Sequence, residues 1–163
     1  GGGRPFSAVA GGAIFQDMDI NDHINLRPAT KSDAEFARTV HHRALRDVVV
    51  RQFGPWDEQL QDGFFEQSGF PDGFELIEFD GTPCGYMRTE VSGAKSEVHD
   101  LYIDPDHQRR GIGTLLIMRA IALGCPVRLQ VLFENSEAAD LYKRLGFRVV
   151  NSSDTHFQML LNQ

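Results

Sequence analysis

Residues 101–116, LYIDPDHQRRGIGTLL, constrain the chain more than any other stretch. They open as an apolar strand-like run and pass Asp104-Pro105. They then cross two arginines and two glycines before apolar residues recur at helical spacing. A strand that feeds a helix through a glycine-rich turn requires a sheet with that helix packed on its face. The turn also carries chemistry of its own. A helix N-terminus presents unpaired N–H groups and about half a positive charge. Glycines let a ligand approach the backbone closely, and Arg109 and Arg110 add charge at the rim. A pyrophosphate fits such a place. So does a plain solvated turn whose glycines only satisfy backbone angles.

The flanking sequence supplies the rest of the sheet. HINLRPAT reads as a first strand ending near Pro28. Thr30 with Asp33, or Ser32 with Glu35, opens a helix whose apolar face is expected at Phe36, Val40, Ala44 and Val48. The chain breaks at Gly54-Pro55 and resumes as a short helix carrying Leu60, Phe64 and Phe65. Two strands flank the Asp80-Gly81 turn, and SEVHDLYI follows as the next strand. After the glycine turn come a helix closed by Gly124, the strand VRLQVLF, the helix NSEAADLYKRLG and two final strands. The order β-α-α-β-β-β-α-β-α-β-β predicts an α/β (mixed α+β) fold. Its expected form is a mixed, largely antiparallel sheet of six to seven strands with helices on both faces. Residues 18–163 form one domain on this reading. Residues 1–17 are glycine-rich and aperiodic and read as an extension outside the fold, with Met18 as a natural start.

Composition removes several classes of function. A formal net charge of −7 argues against wrapping a nucleic-acid backbone. It does not exclude a local anion site, because salt screens surface fields within about 8 Å. No run has the length of a membrane span. Cys84 and Cys125 lack metal-type spacing and read as free, buried thiols in a reducing compartment, so a cytoplasmic protein without a metal is expected.

The glycine spacing is Q-x-x-G-x-G, which is neither a P-loop nor a dinucleotide fingerprint. With LYIDP before it and NSEAADLYKRLGF after it, the pattern resembles the GNAT superfamily of acyl-CoA-dependent N-acyltransferases. The resemblance covers most of residues 23–161. It implies acetyl-CoA or a related acyl-CoA as cosubstrate, with pyrophosphate on the amides from Arg109 through Arg110, Gly111, Ile112, Gly113 and Thr114, and with Gln108 beside them as a further cofactor contact. It implies a bulged strand at Leu101, Tyr102 and Ile103 whose free backbone groups pair with the pantetheine arm. One amide there, that of Leu101, would face the thioester oxygen. Asn135 is implied as a pantetheine contact, although a helix cap fits it equally well. Ala138 and Ala139 would line the groove by being small.

By spacing alone, Tyr142 is a core aromatic; by resemblance it is the acid that protonates the departing CoA thiolate. The base is open between Glu97, His99 and a water chain. On the acceptor side, Phe53, Trp56, Asp57 and Glu58 form either an aromatic and acidic wall for a protonated amine or a helix–helix corner plugged by the tryptophan. The resulting expectation is an N-acetyltransferase acting on a primary amine of a small molecule or of an exposed peptide, by direct transfer in a ternary complex. The alternative is a CoA-binding sensor without turnover. The expected partners are acyl-CoA and the acceptor, with no nucleic acid or membrane, in a monomer or homodimer.

Overall fold

The computed structural model describes residues 19–163; the extension read at residues 1–17 and the start read at Met18 lie outside the described residues. Strand β1 (Ile24–Pro28) leads into a capping box, in which the Thr30 amide donates to Asp33 Oδ2 at 2.8 Å. Arg27 holds the corner by donating to both Asp33 and Glu78. That guanidinium is the main reason the Asp33 carboxyl falls to about 2. Helices α1 (Ala34–Phe53) and α2 (Glu58–Gln67) follow, then β2 (Glu75–Phe79), β3 (Thr82–Ser92) and β4 (Lys95–Ile103). The chain continues with α3 (Ile112–Ile121), β5 (Val127–Leu132), α4 (Ser136–Arg144), β6 (Arg148–Ser152) and β7 (His156–Leu161).

The seven strands form one sheet in the order β1-β2-β3-β4-β5-β7-β6. Only β4 and β5 run parallel. Tyr86 and Met87 are neighbours on β3 and so point to opposite faces. Tyr86 packs with Ala37 and Val40 of α1 and Phe65 of α2. Met87 packs with Ile112 and Leu116 of α3. Helix α4 joins α3 on that second face, through Ala139 beside Ile117 and Val98. The sheet is therefore covered on both faces, and β4 runs through the middle of it.

Two expectations need correction. The buried face of α1 is Ala37, Val40, His41, Val48 and Val49, rotated from the stripe read through Phe36 and Ala44. The rotation brings a histidine inward. The ladder irregularity in β4 also lies upstream of Leu101–Ile103. Arg88 pairs with Asp100 and Thr89 with Val98, so His99 is the extra residue. Leu101, Tyr102 and Ile103 pair in regular register with Met87, Tyr86 and Gly85.

Candidate active site

What leaves β4 open is its other edge. Strand β5 pairs with β4 only at Ser96, Val98 and the residue between them. Beyond Val98 the two parallel strands diverge. The side chain of Gln108 reaches back and donates to the Ile103 carbonyl at 2.9 Å. That carbonyl therefore faces away from β3. Backbone groups alternate between the two edges of an antiparallel ladder. The N–H and C=O of Leu101 consequently face the gap as well, while those of Tyr102 face β3. Strand β3 comes very close on that side: a Cβ on Gly85 would collide with the Tyr102 carbonyl oxygen. Glycine at position 85 is thus required by the approach of two strands.

The glycine turn continues directly from this edge. Arg109 and Gly111 have φ of +65° and +83°, with Arg110 between them on the ordinary negative side. Such alternation turns successive N–H groups toward one side, an arrangement that receives anions. Gly111 is the residue before α3, and the first amides of that helix follow it. A Cβ on Gly111 or Gly113 would meet nothing within 4 Å. Packing within the protein therefore does not demand glycine at position 113; the space above it is open. Arg109 reaches Glu137 at 3.4 Å on the surface, and Arg110 stacks over Phe79 at 5.8 Å.

A cavity of about 810 Å³ passes between the diverging strands. Leu101, Tyr102, Asn135 and Tyr142 line it, as do Glu97 and His99. Its far wall belongs to α1 and α2, with Phe53, Asp57, Leu60 and Phe64. Three of these apolar residues are half exposed: Phe53 by 56%, Leu60 by 51% and Phe64 by 50%. The glycine turn itself lies beyond the cavity, and Ala139 belongs to the core. Ala138 packs partly buried beside it. Asn135 Oδ1 accepts from the Ala138 amide at 3.2 Å, so it caps α4 while it faces the cavity.

The titratable groups differ in kind. The Tyr142 hydroxyl has no hydrogen-bond partner among the described residues, and its ring packs on Phe147 at 5.8 Å between centroids. Burial pushes it above the ordinary tyrosine range. Tyr102 is shifted the same way by burial and by the nearby Asp100. Burial raises Asp100 too, although Arg88 donates to it at 3.1 Å. His99 bonds Glu90 at 2.9 Å and stands 3.7 Å from Glu97.

The acceptor residues read from the sequence divide into two pairs. Phe53 and Asp57 face the cavity. Trp56 and Glu58 turn toward α1: the indole donates to Glu58 at 2.7 Å, meets the His42 ring at 5.4 Å and lies under Arg46 at 5.5 Å. His41, Asp100 and His156 also line the cavity and were not singled out by sequence reasoning. The adjacent histidines at 41 and 42, on a helix with polar and apolar faces, were the available signal for the first.

Comparison with known proteins agrees with this geometry. The family model described as an acetyltransferase (GNAT) domain matches residues 71–149. The peptidyl-lysine N-acetyltransferase YjaB of Salmonella typhimurium is 37% identical over 134 residues, covering 80% of this chain and 88% of the relative. The chain belongs to the GNAT acetyltransferase family. It carries an acyl-CoA N-acetyltransferase domain with the fold of that family. An uncharacterised N-acetyltransferase of Methanocaldococcus jannaschii, MJ1207, is 38% identical over 152 residues; the match takes in 83% of this chain and spans 65% of that relative's length. Among solved structures, the PaiA N-acetyltransferase of Thermoplasma acidophilum in complex with coenzyme A superposes with a TM-score of 0.70 at 20% identity. It covers 86% of this chain and 99% of its own. None of the described helices is long and apolar enough to cross a membrane.

Proposed function

We propose that the protein transfers an acetyl group from acetyl-CoA to a primary amine by direct attack within a ternary complex. The observation that carries this reading is the divergence of β4 from β5. It joins an anion-receiving glycine turn to a cavity with a second wall on α1 and α2. On this reading the pyrophosphate lies on the backbone from Arg109 to Thr114, and the pantetheine arm lies along the open edge of Leu101 and Ile103. The Leu101 amide faces the thioester oxygen, where a fixed donor stabilises the charge that develops as the amine attacks. Tyr142, kept protonated by burial, gives its proton to the departing thiolate. Glu97 and His99 stand at the bulge as candidate bases.

The acceptor enters between Phe53, Leu60 and Phe64, with Asp57 beside them. That wall suits an amine carried on an apolar stem, such as a lysine side chain, whose cation the carboxylate attracts. The Salmonella relative is named for peptidyl-lysine, which supports the same class. The test is a panel of primary amines incubated with acetyl-CoA, read by release of CoA, beside a thermal-shift series. Acetyl-CoA at a hundredfold its dissociation constant stabilises the fold by about 2.7 kcal/mol, and ATP and NAD should not. Binding of acetyl-CoA with no amine-dependent release of CoA would leave a sensor and sink the enzymatic reading.

A further inference from the structure

The α1 wall of the cavity carries a chain of polar contacts that the mechanism above does not use. His41 and His42 are neighbours on α1, and Asp62 projects from α2. His42 Nε2 lies 2.7 Å from Asp62 Oδ1, and His42 Nδ1 lies 2.9 Å from His41 Nδ1. Exposure falls along the chain, from 36% at the Asp62 side chain to 11% at His42 and 8% for His41. The contacts lead from the surface to the cavity.

Hydrogen-bond chemistry fixes the protons. The bond from His42 is the first cause that lowers Asp62, so the carboxylate is ionised and accepts. His42 Nε2 therefore donates, and a neutral His42 keeps its lone pair on Nδ1. Two nitrogens facing each other at 2.9 Å need one proton between them, so His41 Nδ1 donates. A neutral His41 is then left with its lone pair on Nε2. Among the described residues that nitrogen has no hydrogen-bond partner. It is also not one of the side-chain atoms closed off without one, which are Ser96 Oγ and His107 Nδ1. That nitrogen therefore keeps some exposure, and the residue that carries it lines the cavity.

We infer that His41 Nε2 is the general base that takes a proton from the acceptor amine, and that His42 and Asp62 are positioning residues that fix its tautomer and pass the proton to the surface. The inference rests on the amine-acetylation reading. The acceptor arrives as an ammonium, and one of its protons moves to His41 Nε2, which frees the nitrogen lone pair. The proton on His41 Nδ1 moves to His42 Nδ1, and His42, now cationic beside Asp62, releases its Nε2 proton to water. Once product has left, His41 gives its Nε2 proton to water in the cavity, the shared proton returns to His41 Nδ1 and His42 Nε2 takes a proton back from surface water, which restores both resting tautomers. The amine lone pair forms the C–N bond, the C–S bond breaks, and its electron pair goes to sulfur. The second proton lost by the amine reaches sulfur by way of Tyr142. The products are an amide, the CoA thiol and one proton in solvent.

The groups around the ring make His41 a station the proton crosses and His42 the place where charge is held. From α1, Arg38 donates to Asp62 at 3.3 Å. From α2, Glu58 stands 3.7 Å from His42 Nε2. From β4, Tyr102 meets the His41 ring edge-on at 5.5 Å, with Asp100 near it, and His156 of β7 faces the same cavity. Burial, reinforced by His42, pushes His41 down to about 4. The resting imidazole is therefore neutral at neutral pH, but it holds a proton weakly, so a proton taken from the amine has to move on at once. A charge that forms there moves on to His42, where two carboxylates are close.

Two readouts test the relay. In ¹⁵N spectra of the imidazoles, His41 is expected as the Nδ1–H tautomer and His42 as the Nε2–H tautomer; an Nε2–H tautomer at His41 overturns the inference. In kinetics with a primary amine that the parent accepts, His41→Gln is expected to lower kcat/KM about a hundredfold at pH 7 with acetyl-CoA affinity unchanged. The variant should also gain a pH dependence, with log kcat/KM climbing by about one per pH unit from roughly pH 6 to 9, because only acceptor arriving as free amine then reacts. A folded His41→Gln enzyme with the parent's rate and pH profile overturns the inference. If that variant does not fold, His42→Asn decides: a lower kcat at constant KM supports the relay, and a parent-like rate overturns it. Activity that is lost to a chelator and restored by zinc also overturns it. A parent that acetylates no primary amine sinks the acetylation reading instead, and the tautomers still decide whether the relay exists.

Discussion

The two walls of the cavity are built from different materials. The β4 side offers main chain: the outward groups of Leu101 and Ile103, continued beyond the cavity by the amides of a glycine turn. The α1–α2 wall is side chain: one histidine, an aspartate and three half-exposed apolar residues. A main-chain wall tolerates substitution of the residues that build it, provided the backbone path and the space above it survive. A side-chain wall changes its chemistry with every replacement. The first suits a ligand common to many enzymes, and the second suits one partner.

Filling the open space over the turn should break the main-chain wall most severely. Gly113→Asp introduces a carboxylate where a Cβ meets nothing, so the fold is expected to survive. Like charges brought together cost several kcal/mol, so acetyl-CoA affinity should fall a hundredfold or more. Calorimetric titration against circular dichroism checks this, and normal binding by a folded variant would move the pyrophosphate elsewhere. Next in size is Tyr142→Phe, which keeps the ring against Phe147 and removes the hydroxyl. Acetyl-CoA should bind as before while kcat falls about a hundredfold, and less at lower pH, where solvent protonates the thiolate more readily. Full activity would make Tyr142 a packing residue only.

Asp57→Asn probes the side-chain wall gently. Asparagine caps a helix as well as aspartate, so the bond to the Leu60 amide and the melting temperature should persist. Losing one partly exposed charge near a cation is worth about 1 kcal/mol, which predicts a rise of about fivefold in the acceptor's KM. The smallest effect is expected from Leu101→Ile. If the contact there is through the main chain, acetyl-CoA affinity should stay within about twofold, whereas a tenfold loss would show that the leucine side chain itself grips the ligand.

The same contrast explains what the sequence disclosed. The glycine turn was legible because its message is local: a strand, two glycines at fixed spacing and a helix. The element order and the sheet followed from periodicity in the same way. His41 was not legible, because a 3.6-residue repeat leaves the rotation of a helix uncertain by about one position. The stripe through Phe36, Val40 and Ala44 fits as well as the observed face through Ala37 and His41, until the helix meets Phe65 and Tyr102. The bulge at His99 was hidden for a related reason: alternation along one strand says nothing about which residue its neighbour skips. The sequence places Leu60, Phe64 and Phe65 on one short helix without separating them, and the position of α2 at the rim of the cavity buries Phe65 while leaving Leu60 and Phe64 half exposed.

The parting of β4 from β5 has a consequence outside catalysis. An unpaired strand edge ordinarily invites a foreign strand to add to it, the first event in many routes to aggregation. Here the unpaired edge lies in the interior of the sheet, between β4 and β5, with α1 and α2 on one side and α3 and α4 on the other. A foreign β-strand brings side chains on both of its faces and needs the width of a full strand. A slender unbranched amide needs far less room. If the proposed ligand lies along this edge, the recess would act as a sieve by thickness, open to a thin chain and closed to other polypeptides.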